Sequence, residues 1–100
     1  MPPIPMRDEV IRLLKIHKPE LERRFGVIDL ALFGSTARNS TRAGSDVDIL
    51  VDFRGPATSA RYFGVMFYLE DLLGHPVDLV TNGALRPELR PHIEREAIHV

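Results

Sequence analysis

Three aspartates and a Gly-Ser pair are the residues of this chain whose types and spacing could do chemistry. Gly34-Ser35 closes the apolar run Val27 to Phe33. Ten residues later Asp46-Val47-Asp48 opens a second apolar run that ends at Phe53. Asp78 stands inside a third, Val77 to Thr81. Side chains alternate faces along a strand, so Asp46 and Asp48 point one way while Val47, Ile49, Val51 and Phe53 take the other face. With ~3.3 Å of rise per residue, the two Cα atoms lie roughly 6–7 Å apart. Carboxylates at that spacing can converge on a metal, and one of them can bridge two ions ~3.5–4 Å apart. Mg²⁺ prefers hard oxygen ligands and typically takes one or two carboxylates plus substrate phosphates.

A lone Asp-x-Asp also fits a solvated strand entry. Here it opens a strongly apolar strand, where bare charges cost free energy unless paired or metal-bound. Asp78, flanked by Val77, Leu79 and Val80, runs against β-propensity; a strand-edge residue paired with an arginine is the other reading. Asp52 shares the parity of Asp46 and Asp48 but lies roughly 13 Å beyond Asp48, so it is read as a strand-end residue. Asp29, near the start of its strand and away from Gly34, is given no role.

Gly34 follows a strand and precedes a helical turn. Glycine permits φ > 0 and close approach of the backbone to a ligand. The N–H groups of Ser35 to Ala37 would face an anion favourably, and Ser35 can cap the turn or bond a phosphate oxygen. A Walker-type loop is excluded, because no Gly-Lys-Ser/Thr follows. Arg38 either holds phosphate or pairs with a nearby carboxylate. Ser45 is either a loop residue or a hydrogen-bond donor to phosphate. Together these residues point to metal-assisted chemistry on a nucleoside triphosphate. His17, His75, His92 and His99 show no metal-binding spacing; His17 and His92 read as solvated helix residues and His75 as a turn residue.

The elements that must position these residues follow from periodicity. Pro2, Pro3 and Pro5 make an extended leader. Arg7 to His17 has helical spacing, with Asp8 and Glu9 where they suit the dipole. Pro19 either ends this helix or begins a second turn through Leu21 to Phe25, and Gly26 fits a helix stop. Val27 to Phe33, Val47 to Phe53 and Val77 to Thr81 read as strands. Thr36 to Asn39 reads as a helical turn and Asn39 to Gly44 as polar loop. Ser59 to Leu73 reads as a helix with Phe63, Met66, Phe67, Leu69, Leu72 and Leu73 as its apolar stripe, stopped by Gly74. Tyr62, Phe63, Phe67 and Tyr68 are assigned to core packing. Pro87 to Glu96 is a charged helix, or two pieces split by Pro91, with either a solvated or a partner-binding face. Ile98 to Val100 is a short edge strand. The order implies an α+β (α/β) fold, a small mixed sheet with helices packed on it.

One hundred residues are expected to form a single domain over 1–100. A net charge of −1 supplies no global basic field for nucleic acid. Cysteine is absent, which excludes thiolate metal sites and suits a reducing compartment. No apolar run approaches the ~20 residues of a membrane span, and Met1 to Pro5 lacks a signal-peptide apolar region. The expected address is the cytoplasm, with neither membrane nor direct nucleic-acid partners.

Gly34-Ser35, ten intervening residues and Asp46-x-Asp48 resemble the Gly-Ser-x10-Asp-x-Asp signature of the minimal nucleotidyltransferases, small members of the DNA polymerase β-like superfamily. Asp78 fits the position of the third carboxylate, and the resemblance covers nearly the whole chain. It implies the polymerase β-like fold, with Asp46, Asp48 and Asp78 binding two Mg²⁺ ions and Gly34 and Ser35 holding the triphosphate. One departure is Asn39, where the family often has glycine; asparagine tolerates left-handed backbone better than most residues. The resemblance further implies transfer of AMP from ATP to a tyrosine of a HEPN-domain ribonuclease toxin. The chain would then be the antitoxin of a type VII-like pair, in a hetero-oligomer with that toxin. An antitoxin that works by binding alone, and a glycosyltransferase-like use of Asp-x-Asp, are the competing readings. The short chain and the Gly-Ser turn oppose the latter.

Overall fold

In the computed structural model of the protein, residues 6–38 and 46–100 are described. Helix α1 (Arg7–Phe25) leads into β1 (Val27–Phe33), the single turn α2 (Gly34–Ala37) and β2 (Val47–Phe53). Then come α3 (Ser59–Leu73), β3 (Val77–Thr81), a 3-10 turn Asn82–Ala84, α4 (Arg90–Glu96) and β4 (Ile98–His99). The strands form one mixed sheet in the order β3-β2-β1-β4. β1 is antiparallel to both β2 and β4, while β2 and β3 run parallel. A parallel pair needs a long crossover, and α3 supplies it.

Helices cover both faces. Val10, Leu14 and Leu21 of α1 and Val65 and Leu69 of α3 are fully buried against Leu30, Leu32, Ile49 and Val51. Each such leucine contributes about 1.5–3 kcal/mol by leaving water. The opposite face carries a smaller cluster, Ala31, Phe33, Leu50 and Leu85, with Val80, Ile93 and Ala97 packed on it. That cluster explains the charged segment after Leu85. Its glutamates face water while Ile93 and Ala97 pack on the cluster; the helix begins at Arg90 rather than Pro87, so the segment is neither wholly solvated nor split at Pro91. Pro91 sits in the first turn of α4, where a missing N–H is harmless.

Three expectations need correction. α1 does not stop before Pro19 but runs through it to a left-handed cap at Gly26. Pro19 cannot donate to the Lys15 carbonyl, yet both residues are exposed, so water can replace the lost bond. Phe63 and Phe67 are 47% and 56% exposed rather than core, and stack on each other at 6.1 Å. Val65 and Leu69 face the sheet instead, and a side chain at Gly64 would come within 3.0 Å of the Phe25 ring, so α1 and α3 approach closely there. His17 is half-buried rather than solvated, with Nδ1 2.5 Å from the Tyr68 hydroxyl.

The free edge of β3 is closed by α3. Tyr62 Oη donates to the Leu79 carbonyl at 2.6 Å, and the Val77 N–H donates to Glu70 Oε2 at 3.0 Å. These are two odd-numbered residues of the strand, whose main-chain groups point away from β2. Capping them blunts the edge against pairing with another chain.

Candidate active site

The sheet register assembles the carboxylates. Asp48 and Asp78 are directly paired across the parallel β2–β3 ladder. Both point to the face that α4 covers, beyond the end of the Leu50 cluster, because Asp48 and Leu50 share parity. Asp48 is half-buried, whereas Asp78 and Asp46 are exposed. Burial is the main reason the Asp48 carboxyl is pushed up from 3.8 to about 6; the charge of Asp78, a hydrogen bond between the two carboxyls and the charge of Asp46 act in the same direction. The Arg38 guanidinium pulls the other way. Two carboxyls pressed together so that one is harder to ionise make a site short of positive charge, and a hard divalent cation would supply it.

Gly34 backs directly onto Asp48. Phe33 is the cross-strand partner of Asp48, so the next residue of β1 emerges beside that carboxylate. Gly34 has φ 72, and a Cβ there would lie 2.9 Å from Asp48 Cγ and overlap the carboxylate oxygen. Glycine is therefore required twice, by the left-handed backbone and by the contact. The Gly-Ser turn and the Asp-x-Asp strand, ten residues apart in sequence, are one packed unit. Ser35 is half-buried in α2, with Thr36 and Ala37 buried behind it. The helical turn begins at Gly34, two residues earlier than its sequence suggested.

Arg38 ends α2, its N–H donating to the Gly34 carbonyl at 3.1 Å. Of the two readings of its side chain, the structure shows a carboxylate pairing: Nη1 donates to both oxygens of Glu96, at 3.0 Å each. Glu96 was invisible in the sequence, because it comes from α4, 58 positions away. Ser45 and Asn39 lie outside the described residues. Among the described residues, no three carboxylate or histidine side chains are already gathered into a metal cluster. Asp48 and Asp78 meet, and Asp46 acts on Asp48 by charge while remaining at the exposed entrance of β2.

Asp52 is placed away from this group. It pairs across the ladder with Asp29 at the opposite end of the same face. There a separate concavity of about 390 Å³ is lined by Asp29, Asp52, Asn82, Arg90, Glu94 and His99, among others. Most of these side chains are partnered: His99 Nδ1 lies 3.0 Å from Asp29 Oδ2, and Arg90 donates to Asn82 Oδ1 at 2.9 Å. None of the residues singled out around Gly34 and Asp48 lines it.

With this geometry in hand, three comparisons are informative. Residues 14–100 match the family model for the nucleotidyltransferase domain. The protein adenylyltransferase MntA of Thermococcus cleftensis is 40% identical over 93 residues, covering 93% of this chain and 94% of that protein. A solved structure assigned to the minimal nucleotidyltransferases superposes with a TM-score of 0.77 at 38% identity, covering 90% of this chain and 92% of the other. More distantly, the fold matches a structure of a tri-AMPylated HEPN toxin of Shewanella oneidensis in complex with its MNT antitoxin. That match has a TM-score of 0.58 at 20% identity and covers 93% of this chain and 66% of the other.

Proposed function

The chain belongs to the nucleotidyltransferase domain family, and within it we propose that it is a Mg²⁺-dependent protein adenylyltransferase that moves AMP from ATP to a tyrosine hydroxyl of a HEPN ribonuclease toxin, as that toxin's antitoxin. The observation that carries the reading is the Asp48–Asp78 carboxyl pair with Gly34 packed against it. A relative 40% identical is named for protein adenylylation, and a distant fold neighbour is an antitoxin bound to an AMPylated HEPN toxin. Both support the acceptor. Among the described residues no helix is long and apolar enough to cross a membrane.

In this reading Asp46, Asp48 and Asp78 would hold two Mg²⁺ ions, which would supply Lewis-acid charge for the acceptor oxygen and for the leaving pyrophosphate. Gly34 and Ser35 cradle the triphosphate, with Arg38 and Ser45 donating to its oxygens. Asp78, exposed beside Asp48, accepts the proton of the acceptor hydroxyl. The hydroxyl oxygen bonds to the α-phosphorus as the bond to pyrophosphate breaks. Positioning and charge stabilisation supply most of the catalysis.

The test is to purify the chain with the product of the neighbouring gene, expected to be a HEPN toxin, add ATP and Mg²⁺, and weigh both proteins. The toxin is expected to gain whole AMP units. A stable complex with no gain would replace this reading with the binding-only antitoxin.

A further inference from the structure

We propose that Glu96 is a positioning residue for nucleotide binding: it holds the Arg38 guanidinium beside the Gly34 turn through Nη1, leaving Nε and Nη2 without an acceptor among the described residues. The inference rests on the nucleotidyl-transfer reading above, and adds to it a residue from outside the Gly-Ser and Asp-x-Asp motifs.

A single helical turn fixes the backbone of Arg38 but not its guanidinium. A free arginine samples many rotamers, and ordering it opposes ligand binding. Glu96 removes that freedom beforehand. It engages only Nη1, which donates to both of its oxygens at 3.0 Å. Among the described residues, Nε and Nη2, the edge that matches two oxygens of a phosphate, have no acceptor. If Glu96 merely competed with substrate, it would be expected to occupy that edge.

The anchor is itself well placed. Glu96 is the last residue of α4, held by the Ala97 N–H to the Ile93 carbonyl at 2.8 Å. Two residues on, Ile98 pairs with Leu32 of β1, the strand that leads directly into Gly34. The turn and the carboxylate that orients its arginine are thus tied to the same strand. The two side chains are 53% and 38% exposed, and exposed ion pairs of this kind add little to stability. A role in folding is therefore a poor account of the contact.

The experiment is calorimetric titration with α,β-methylene-ATP and Mg²⁺, a probe that binds without transferring AMP. Glu96→Ala is expected to weaken binding by about 1.5–5-fold, the worth of an exposed charge pair. Glu96→Gln, which keeps an accepting oxygen, should recover part of the loss. In an Arg38→Ala background, Glu96→Ala should change nothing further. Melting temperatures within about 2 °C of the parent would show the variants folded. Unchanged or tighter binding by Glu96→Ala, or an equal loss in the Arg38→Ala background, would overturn the proposal while leaving the nucleotidyl-transfer reading intact. A parent protein that does not bind the probe would overturn both.

Discussion

Replacing Asp48 with asparagine should abolish transfer and, in the absence of metal, make the protein more stable. The Asp48 carboxyl sits at about 6 in the fold against 3.8 as its ordinary value. At ~1.4 kcal/mol per pH unit, ionising it in the folded protein would cost at most about 3 kcal/mol. The side chain is only half-buried, and solvent screening reduces this to on the order of 1 kcal/mol. For a domain of this size that corresponds to about 4–8 °C in melting temperature. The pH dependence has a definite sign. A folded-state value above the unfolded one means that the carboxyl's contribution to stability is fully present below 3.8 and is lost as pH rises through about 6. The advantage of Asp48→Asn over the parent should therefore be largest near pH 8 and shrink towards pH 4. The assay is thermal unfolding of both proteins in EDTA across that range, paired with transfer assays at pH 8. A variant less stable than the parent at pH 8, or a difference that does not narrow on acidification, would refute the electrostatic argument. With Mg²⁺ and ATP present the order should reverse, because only the parent gains stability from binding.

Two further outcomes follow. Gly34→Ala should lose transfer and destabilise the fold by roughly 1–3 kcal/mol from left-handed strain alone, with more added by overlap with Asp48; thermal unfolding and a transfer assay measure both. Asp52→Asn should leave transfer within about twofold of the parent, since Asp52 lies roughly 13 Å along the strand from Asp48 and pairs across the ladder with Asp29.

Much of the framework was legible because local signals and tertiary packing agree. The runs Val27–Phe33, Val47–Phe53 and Val77–Thr81 are apolar, short and bounded by turn residues, and each is a strand with those limits. Parity put Asp46, Asp48 and Asp52 on one face and distance along the strand set Asp52 aside; the register agrees, pairing Asp48 with Asp78 and Asp52 with Asp29. What could not be read was pairing between distant elements. That Asp78 stands opposite Asp48 is a property of the β2–β3 register. That Arg38 meets Glu96 depends on where α4 docks. α3 misled for a related reason: its apolar stripe is wider than the arc that reaches the sheet. Val65 and Leu69 occupy that arc, while Phe63 and Phe67 stay outside. His17 looked solvated because its partner, Tyr68, lies on another helix.

Labelled ATP tests the central claim most directly. The chain and the HEPN protein proposed as its partner would be incubated with Mg²⁺ and ATP carrying label at either the α- or the γ-phosphate. The account predicts that α-label becomes covalently attached to the HEPN protein, that γ-label leaves as pyrophosphate, and that Asp48→Asn does neither. Attachment of the γ-label, or undiminished α-labelling by Asp48→Asn, would contradict it.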